Sequence, residues 1–382
     1  MTALAYKHII RGEYILDQIN ILYDFQIFWH QKFGGVSRYH AELSNISKQH
    51  NINIDISTYG VKNFYLNKNM NKSADLLKLL IGRRKVYFLN KILTKKQLNN
   101  KHYDIIHPTW YDPYIFDLKG NSKIVVTIHD MIHELFWEDT QQDEIERKRN
   151  AIYNSDAIIA ISENTKRDIL KLYPDIPSDK ISVIYHGTSH LPSMKKPSNF
   201  KVPEKYILFV GGRHDYKRGM FVAKALKELL EKYADIKILY IGGGNFNKKE
   251  LQYIEELGLT NRIIQHDVDD QSLAYLYANA ICFVYPSLYE GFGLPILEAF
   301  DNNCPVICAN NSSLPEVGGD AALYFDNEDA DKLAETVEML FMNNYIRKKY
   351  IELGRNRCKE FTWEKCFEET NKVYRKIIGK TL

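Results

Sequence analysis

Residues 281–309 read ICFVYPSLYEGFGLPILEAFDNNCPVICA, and this stretch decides the fold: strand, tight loop, helix, strand. The apolar, aromatic-containing run at 281–285 stops at Pro286 and Ser287, which marks a buried strand. Gly291 and Gly293 permit a sharp turn and a close approach of backbone to ligand. Pro295 suits the first helical position, where a missing N–H costs nothing. The amides that follow point outward at the positive end of the helix dipole and favour an anion. Glu290 at the mouth of the turn and Glu298 inside the helix bracket that anion site. A phosphate cradle between two carboxylate acceptors suits a ligand with hydroxyls on both sides of a phosphate. A nucleotide sugar is such a ligand. Two glutamates eight apart also occur by chance, as a surface Glu and an ordinary helix Glu; the Gly-Phe-Gly-Leu-Pro loop between them lifts this pair above that reading.

Glu290 and Glu298, with seven residues between them in the setting YPSLYEGFGLPILEA, resemble the E-x7-E signature of retaining glycosyltransferase family 4. The resemblance implies an α/β chain of the GT-B fold, two Rossmann-like domains facing each other across a cleft, and it extends over residues 19–378. At 382 residues the chain is too long for one typical core, so two domains are expected on length alone. The first, acceptor-side domain is expected at 1–186 and a Pro-, Ser- and Gly-containing linker at 187–204. The second, nucleotide-sugar-binding domain is expected at 205–362, with a last helix at 363–382 crossing back onto the first.

Bulk composition excludes several classes. Hydrophobic residues make up 45% and charged residues 26%, ordinary for a globular chain, and a net charge of +3 gives no nucleic-acid footprint. No apolar run reaches transmembrane length, and the N-terminus lacks a signal-peptide core. The five cysteines are odd in number and form no metal-type pair; Cys282, Cys304 and Cys308 fall in or beside apolar strands. Buried free thiols in a reducing cytoplasm fit them.

On the N-terminal side, residues 1–18 carry no turn signal and stay unassigned, a short helix being one option. An aromatic-rich first strand is expected over 19–28. Phe33-Gly34-Gly35-Val36-Ser37-Arg38-Tyr39 follows and opens a helix; glycines there bring backbone to an anion, although a lone Gly-Gly is often only a turn. FGGVSRY resembles the family's first glycine loop, near donor phosphates and acceptor, which assigns Gly34 and Gly35 to substrate. Residues 68–101 interleave ten Lys and Arg with leucines, isoleucines and other apolar residues against a single Asp75. Such a segment either packs its apolar face on the core or lies on an anionic membrane, and the resemblance to enzymes with membrane-bound acceptors supports the second.

Further strands are expected at 104–107 and 123–129, the latter ending in TIHD. His129 and Asp130 then sit where open α/β sheets bind ligands. His129, Asp130 and His133 could ligate a metal by composition, but three residues in one loop without a distant fourth make a poor zinc site. The resemblance assigns His129 to the donor sugar and leaves His133 structural. His107 and Trp110 are taken to line the acceptor side. Residues 156–162 form a strand and 163–173 a helix capped by Ser162.

The second domain opens with a strand at 206–210 and then GGRHDYKRG. Arg213 offers a planar fork and Lys217 a point charge at a helix start, which the dipole disfavours unless an anion joins them. The resemblance gives Arg213 and Lys217 the leaving diphosphate, with Arg218 able to share the duty of Lys217. The glycines of residues 242–244 lack dinucleotide spacing and read as a close-packed turn. Asp267-Val268-Asp269 imitates a metal-binding DxD, but Asp269 and Asp270 stand where helix caps belong. The resemblance puts backbone near Asp267 and Val268 against the base. Asn303 departs from the family, which usually has glycine there, and is expected to alter turn geometry.

The resemblance implies a retaining hexosyltransferase that needs no metal or other cofactor. The leading donor is GDP-mannose and the second a UDP-hexose; the acceptor is a glycan or lipid-linked glycan of polysaccharide synthesis. Glu298 is expected on the ribose, Glu290 on the sugar hydroxyls, and the amides of Gly291, Phe292, Gly293 and Leu294 on the sugar and β-phosphate. Front-face attack is preferred to double displacement through Glu290. Other activities on this fold are a nucleotide-sugar epimerase, a phosphorylase (which needs a pyridoxal-phosphate lysine motif, absent here) and a non-catalytic nucleotide-binding subunit.

Overall fold

The computed structural model describes residues 18–66, 82–188, 194–213 and 215–380. Residues 1–17 and 67–81 lie outside it, and with them the unassigned N-terminal stretch and the first half of the basic segment.

Two six-stranded, all-parallel sheets form the framework. The first has order β2-β1-β3-β4-β5-β6, from β1 (Ile19–Tyr23), β2 (Ile52–Ile56), β3 (Ile105–His107), β4 (Lys123–Ile128), β5 (Ala157–Ala160) and β6 (Ile181–Val183). The second has order β12-β11-β10-β7-β8-β9, from β7 (Lys205–Val210), β8 (Ile236–Ile241), β9 (Ile263–His266), β10 (Phe283–Tyr285), β11 (Val306–Ala309) and β12 (Ala322–Phe325). Strand order reverses between β1 and β3 and again between β7 and β10, which opens a crevice at the carboxyl end of each sheet. This is the α/β architecture of paired Rossmann-like domains.

The strands are short and apolar because parallel sheets are covered on both faces. In β4, Val125 packs into one core with Ile21, Tyr39 and Ile159, while Ile124, Val126 and Ile128 join the opposite core. The helix Trp363–Ile377 completes the former, since Trp363, Cys366, Phe367 and Tyr374 bury against first-sheet residues. Two chain crossings between domains run side by side: Thr188 and Thr362 form a bridge, and the Thr188 amide donates to the Phe361 carbonyl at 3.0 Å. Gly187 is required there, because a Cβ would lie 2.2 Å from the Trp363 nitrogen. All five cysteines are buried free thiols.

Several expected boundaries move for local reasons. The first strand ends at Tyr23, not residue 28. Asp24 accepts from the Gln26 side chain at 2.6 Å and the Thr109 amide at 3.0 Å, and the chain turns into the helix Gln26–His30. The strand expected over 236–245 stops at Ile241, because Gly242, Gly243 and Gly244 take φ of 84°, 76° and 69°. Ser162 caps the helix Glu163–Leu172 through the Thr165 amide, and Asp269 caps the helix Asp270–Asn279 through the Ser272 amide at 2.8 Å. Pro295 occupies the second position of the helix Leu294–Asp301, behind Gly293 at φ 112°. Asn303 holds φ 61°, the left-handed conformation glycine adopts freely and asparagine tolerates.

Candidate active site

The carboxyl ends of β1, β4, β7 and β10 converge on one cleft of about 360 Å³ between the domains. The second domain contributes the loop after β10. Its shape is fixed from behind by two serines. Ser312, itself at φ 47°, accepts the Glu290 amide at 3.0 Å. Ser313 donates to the carbonyls of Glu290 and Phe292 at 2.8 and 2.9 Å. The loop then meets the first domain with almost no gap: a Cβ on Gly291 would stand 1.8 Å from the His129 carbonyl oxygen. Gly35 faces the start of the helix Leu294–Asp301 the same way, its virtual Cβ 3.1 Å from Leu294 Cδ1.

Of the residues picked from the sequence, Gly34, Gly35, His129, Asp130, Lys217, Glu290, Gly291, Phe292, Gly293, Leu294 and Glu298 all line this cleft. Lys217 Nζ lies 2.6 Å from Glu290 Oε1, a charge-assisted bond within the cavity. Burial holds the His129 imidazole neutral, pushing its pKa down to about 3, and its Nε2 makes no hydrogen bond within the protein. A neutral ring with an unspent nitrogen serves as a hydrogen-bonding group for a hydroxyl, not as a cation for phosphate. Asp130 is oriented by its bond from the Ile132 amide at 3.1 Å and by Lys148, whose buried ammonium bonds the Asp130 carbonyl at 3.0 Å and Glu134 at 2.8 Å. Among the described residues, no group of three His, Cys, Asp or Glu side chains is placed to hold a metal ion.

Four residues picked from the sequence, Arg213, Val268, His107 and Trp110, stand outside the cleft lining. Arg213 is not in the cleft lining: its guanidinium bonds Glu250 at 2.9 Å and the carbonyls of Gly242 and Gly244 at 2.9 and 3.0 Å. The reason is the triple-glycine turn, whose left-handed backbone aims carbonyls at the guanidinium and whose Gly243 leaves room for it, a Cβ falling 2.9 Å from Nη1. Val268 lines a neighbouring recess with Lys195, Asn199 and Asp269. His107, taken for the acceptor side, is buried, its Nδ1 2.6 Å from the Tyr374 hydroxyl and its Nε2 2.9 Å from Thr127 Oγ1. Trp110 bonds Glu144 at 3.2 Å and stays half-buried.

Cleft residues that the sequence reading passed over are Phe33, Arg38, Tyr65, His186 and Tyr285. Arg38 had a signal, being the one cation of FGGVSRY. His186 follows β6 much as His129 follows β4, and its ring centroid lies 5.5 Å from that of His129.

The comparisons with known proteins agree with this fold. The family model described as Glycosyltransferase Family 4 matches residues 33–190, and that described as Glycosyl transferases group 1 matches residues 192–357. The O-antigen chain mannosyltransferase B of Escherichia coli is 30% identical over 72% of this chain and 74% of its own length. The O-antigen chain mannosyltransferase RfbU of Salmonella typhimurium is 29% identical over 58% of this chain and 64% of its own. The solved sucrose-phosphate synthase from Thermosynechococcus elongatus superposes with a TM-score of 0.70 at 18% identity, covering 94% of this chain and 99% of that one. That likeness shows the shared fold.

Proposed function

Because the chain belongs to glycosyltransferase family 4, we propose that it moves a hexose with retention from a nucleotide diphosphate donor to a glycan or lipid-linked acceptor, without a metal. Mannose from GDP-mannose is the leading donor; the mannosyltransferase relatives support it. The observation that carries the reading is the Lys217–Glu290 pair, 2.6 Å apart in the cleft that also holds Glu298 and both glycine loops. In this mechanism the acceptor hydroxyl oxygen bonds C1 as the C1–O bond to the diphosphate breaks. The departing phosphate oxygen takes the acceptor proton, and Lys217 neutralises the charge left on it. Glu290 holds sugar hydroxyls and His129 offers its spare nitrogen to another. A glutamate already bonded to an ammonium is a blunted nucleophile, which supports front-face attack over double displacement.

The test is donor turnover with GDP-mannose and UDP-hexoses, with and without a chelator, followed by NMR assignment of the product anomer. Inversion, loss of activity on chelation, or a glycosyl ester trapped on Glu290 would overturn the corresponding part. Turnover of a UDP-hexose alone would replace the donor.

The same proposal places the enzyme in the cytoplasm, peripheral on the inner membrane face. On the helix Arg83–Asn100, Phe88 and Ile92 are 63% and 48% exposed among exposed Arg84, Lys85, Lys95 and Lys96. Apolar residues ringed by cations suit an anionic bilayer. No helix among the described residues is long and apolar enough to cross a membrane. Failure to sediment with anionic liposomes at low salt would remove this part.

A further inference from the structure

Two ion pairs stand in the cleft. Lys217 is matched by Glu290, and a second pair spans the domains: Arg38 Nη1 lies 3.6 Å from Glu298 Oε1. Arg38 sits in the first turn of the helix Gly35–Ser47, its amide making the bond to Gly34 that starts the helix. A cation there opposes the helix dipole. The Arg38–Glu298 contact is also loose, longer than a hydrogen bond and well beyond the 2.6 Å of the other pair. Arg38 has Glu42 as an alternative partner at 4.0 Å, and both Arg38 and Glu298 are only 15% and 18% exposed.

A cavity whose cations are already matched by carboxylates holds little net attraction for a diphosphate. Attraction appears if the ligand brings hydroxyls to the carboxylates and thereby frees the cations, and a nucleotide sugar carries hydroxyls on both sides of its phosphates. Building on the function proposed above, we infer that Arg38 exchanges partners. It neutralises Glu298 in the empty enzyme, and it turns to the donor diphosphate when ribose hydroxyls engage Glu298. The swap leaves neither buried group unmatched, and the freed guanidinium provides a two-pronged grip on phosphate that the single Lys217 ammonium lacks. It also makes nucleotide binding a bridge between domains, since Arg38 belongs to the first and Glu298 to the second. Arg38 is therefore a donor-binding residue whose resting partners include the ribose acid.

Calorimetric titration of the full chain with GDP, UDP, guanosine and uridine tests this. Wild type should bind one nucleoside diphosphate. Arg38→Ala should weaken that diphosphate by about tenfold to a hundredfold while the parent nucleoside binds equally well or more tightly, because Glu298 is released. Arg38→Lys should restore part of the loss, and Glu298→Gln should weaken nucleoside and diphosphate alike. Equal weakening of both ligands by Arg38→Ala, or no effect on either, overturns the exchange while leaving the transferase reading intact. If wild type binds neither diphosphate, the nucleotide-sugar reading has failed and the exchange falls with it.

Discussion

Glu316 of the second domain caps a helix of the first: its carboxylate accepts the amides of Glu163 at 2.8 Å and Asn164 at 2.7 Å. Beside it, Tyr289 donates to Asp168 at 2.7 Å and accepts the Met131 amide at 3.3 Å. These bonds cross between domains on the flank of the cleft, so the closed arrangement is held by polar contacts that water can replace.

Replacing Glu316 with Ala should therefore loosen closure. A lost cap costs about 1 kcal/mol, so melting should fall by a few degrees, while the donor KM rises more than kcat falls. Glu316→Gln keeps an acceptor and should recover most of the loss. Unchanged KM in Glu316→Ala would show that the clasp does not govern donor capture.

Lys217→Ala should lower kcat by about 10²–10³-fold with little change in melting temperature, since the ammonium is partly exposed. Glu290→Gln should retain measurable transfer. In the double variant the losses should fall short of multiplying, because each residue is the other's partner. Full multiplicativity would separate the two roles.

Arg213 calls for the opposite pattern. Its side chain is 3% exposed and paired with Glu250. Removing one member of a buried pair costs about 3–5 kcal/mol, so Arg213→Met should melt far earlier, yet its folded fraction should turn over donor at nearly the wild-type rate. A folded, thermally normal but inactive Arg213→Met would return this residue to the diphosphate.

Acid should unfold the protein steeply. His40, His107, His129 and His186 form a buried cluster in which burial lowers every imidazole pKa, those of His107 and His129 to about 3. The folded chain keeps these rings neutral, while an unfolded histidine protonates near pH 6.5. The stability they permit is intact above about pH 6.5 and is lost as pH falls from there toward 3, at up to about 1.4 kcal/mol per pH unit for each ring. Urea unfolding between pH 8 and 5 measures the slope, and His107→Asn should reduce it. A curve flat from pH 7 to 5 would contradict the burial of the cluster.

What the sequence discloses and what it withholds divide along contact range. The loop from Glu290 to Leu294, the cap at Ser162 and the cap at Asp269 rest on neighbours within a few residues, so spacing alone locates them. The edge strand Ile52–Ile56 does carry a strand signal, Asn and Asp alternating with isoleucine, over only five residues, and Ala322–Phe325 carries less because four residues hold little period. The misplacement of Arg213 has a longer-range cause. Nothing near residue 213 announces that Glu250 and the glycine turn after β8 will surround it. Arg38 poses the same difficulty, since its partner Glu298 lies in the other domain.

The buried cysteines have an experimental use. Burial raises the pKa of all five thiols, so none offers a reactive thiolate to a maleimide near neutral pH. Dyes introduced through Phe64→Cys and Tyr345→Cys, positions 69% and 80% exposed in opposite halves of the chain, would label a silent background. Energy transfer between those fluorophores would then follow the two lobes approaching and parting during turnover, with the native chemistry of the chain left undisturbed.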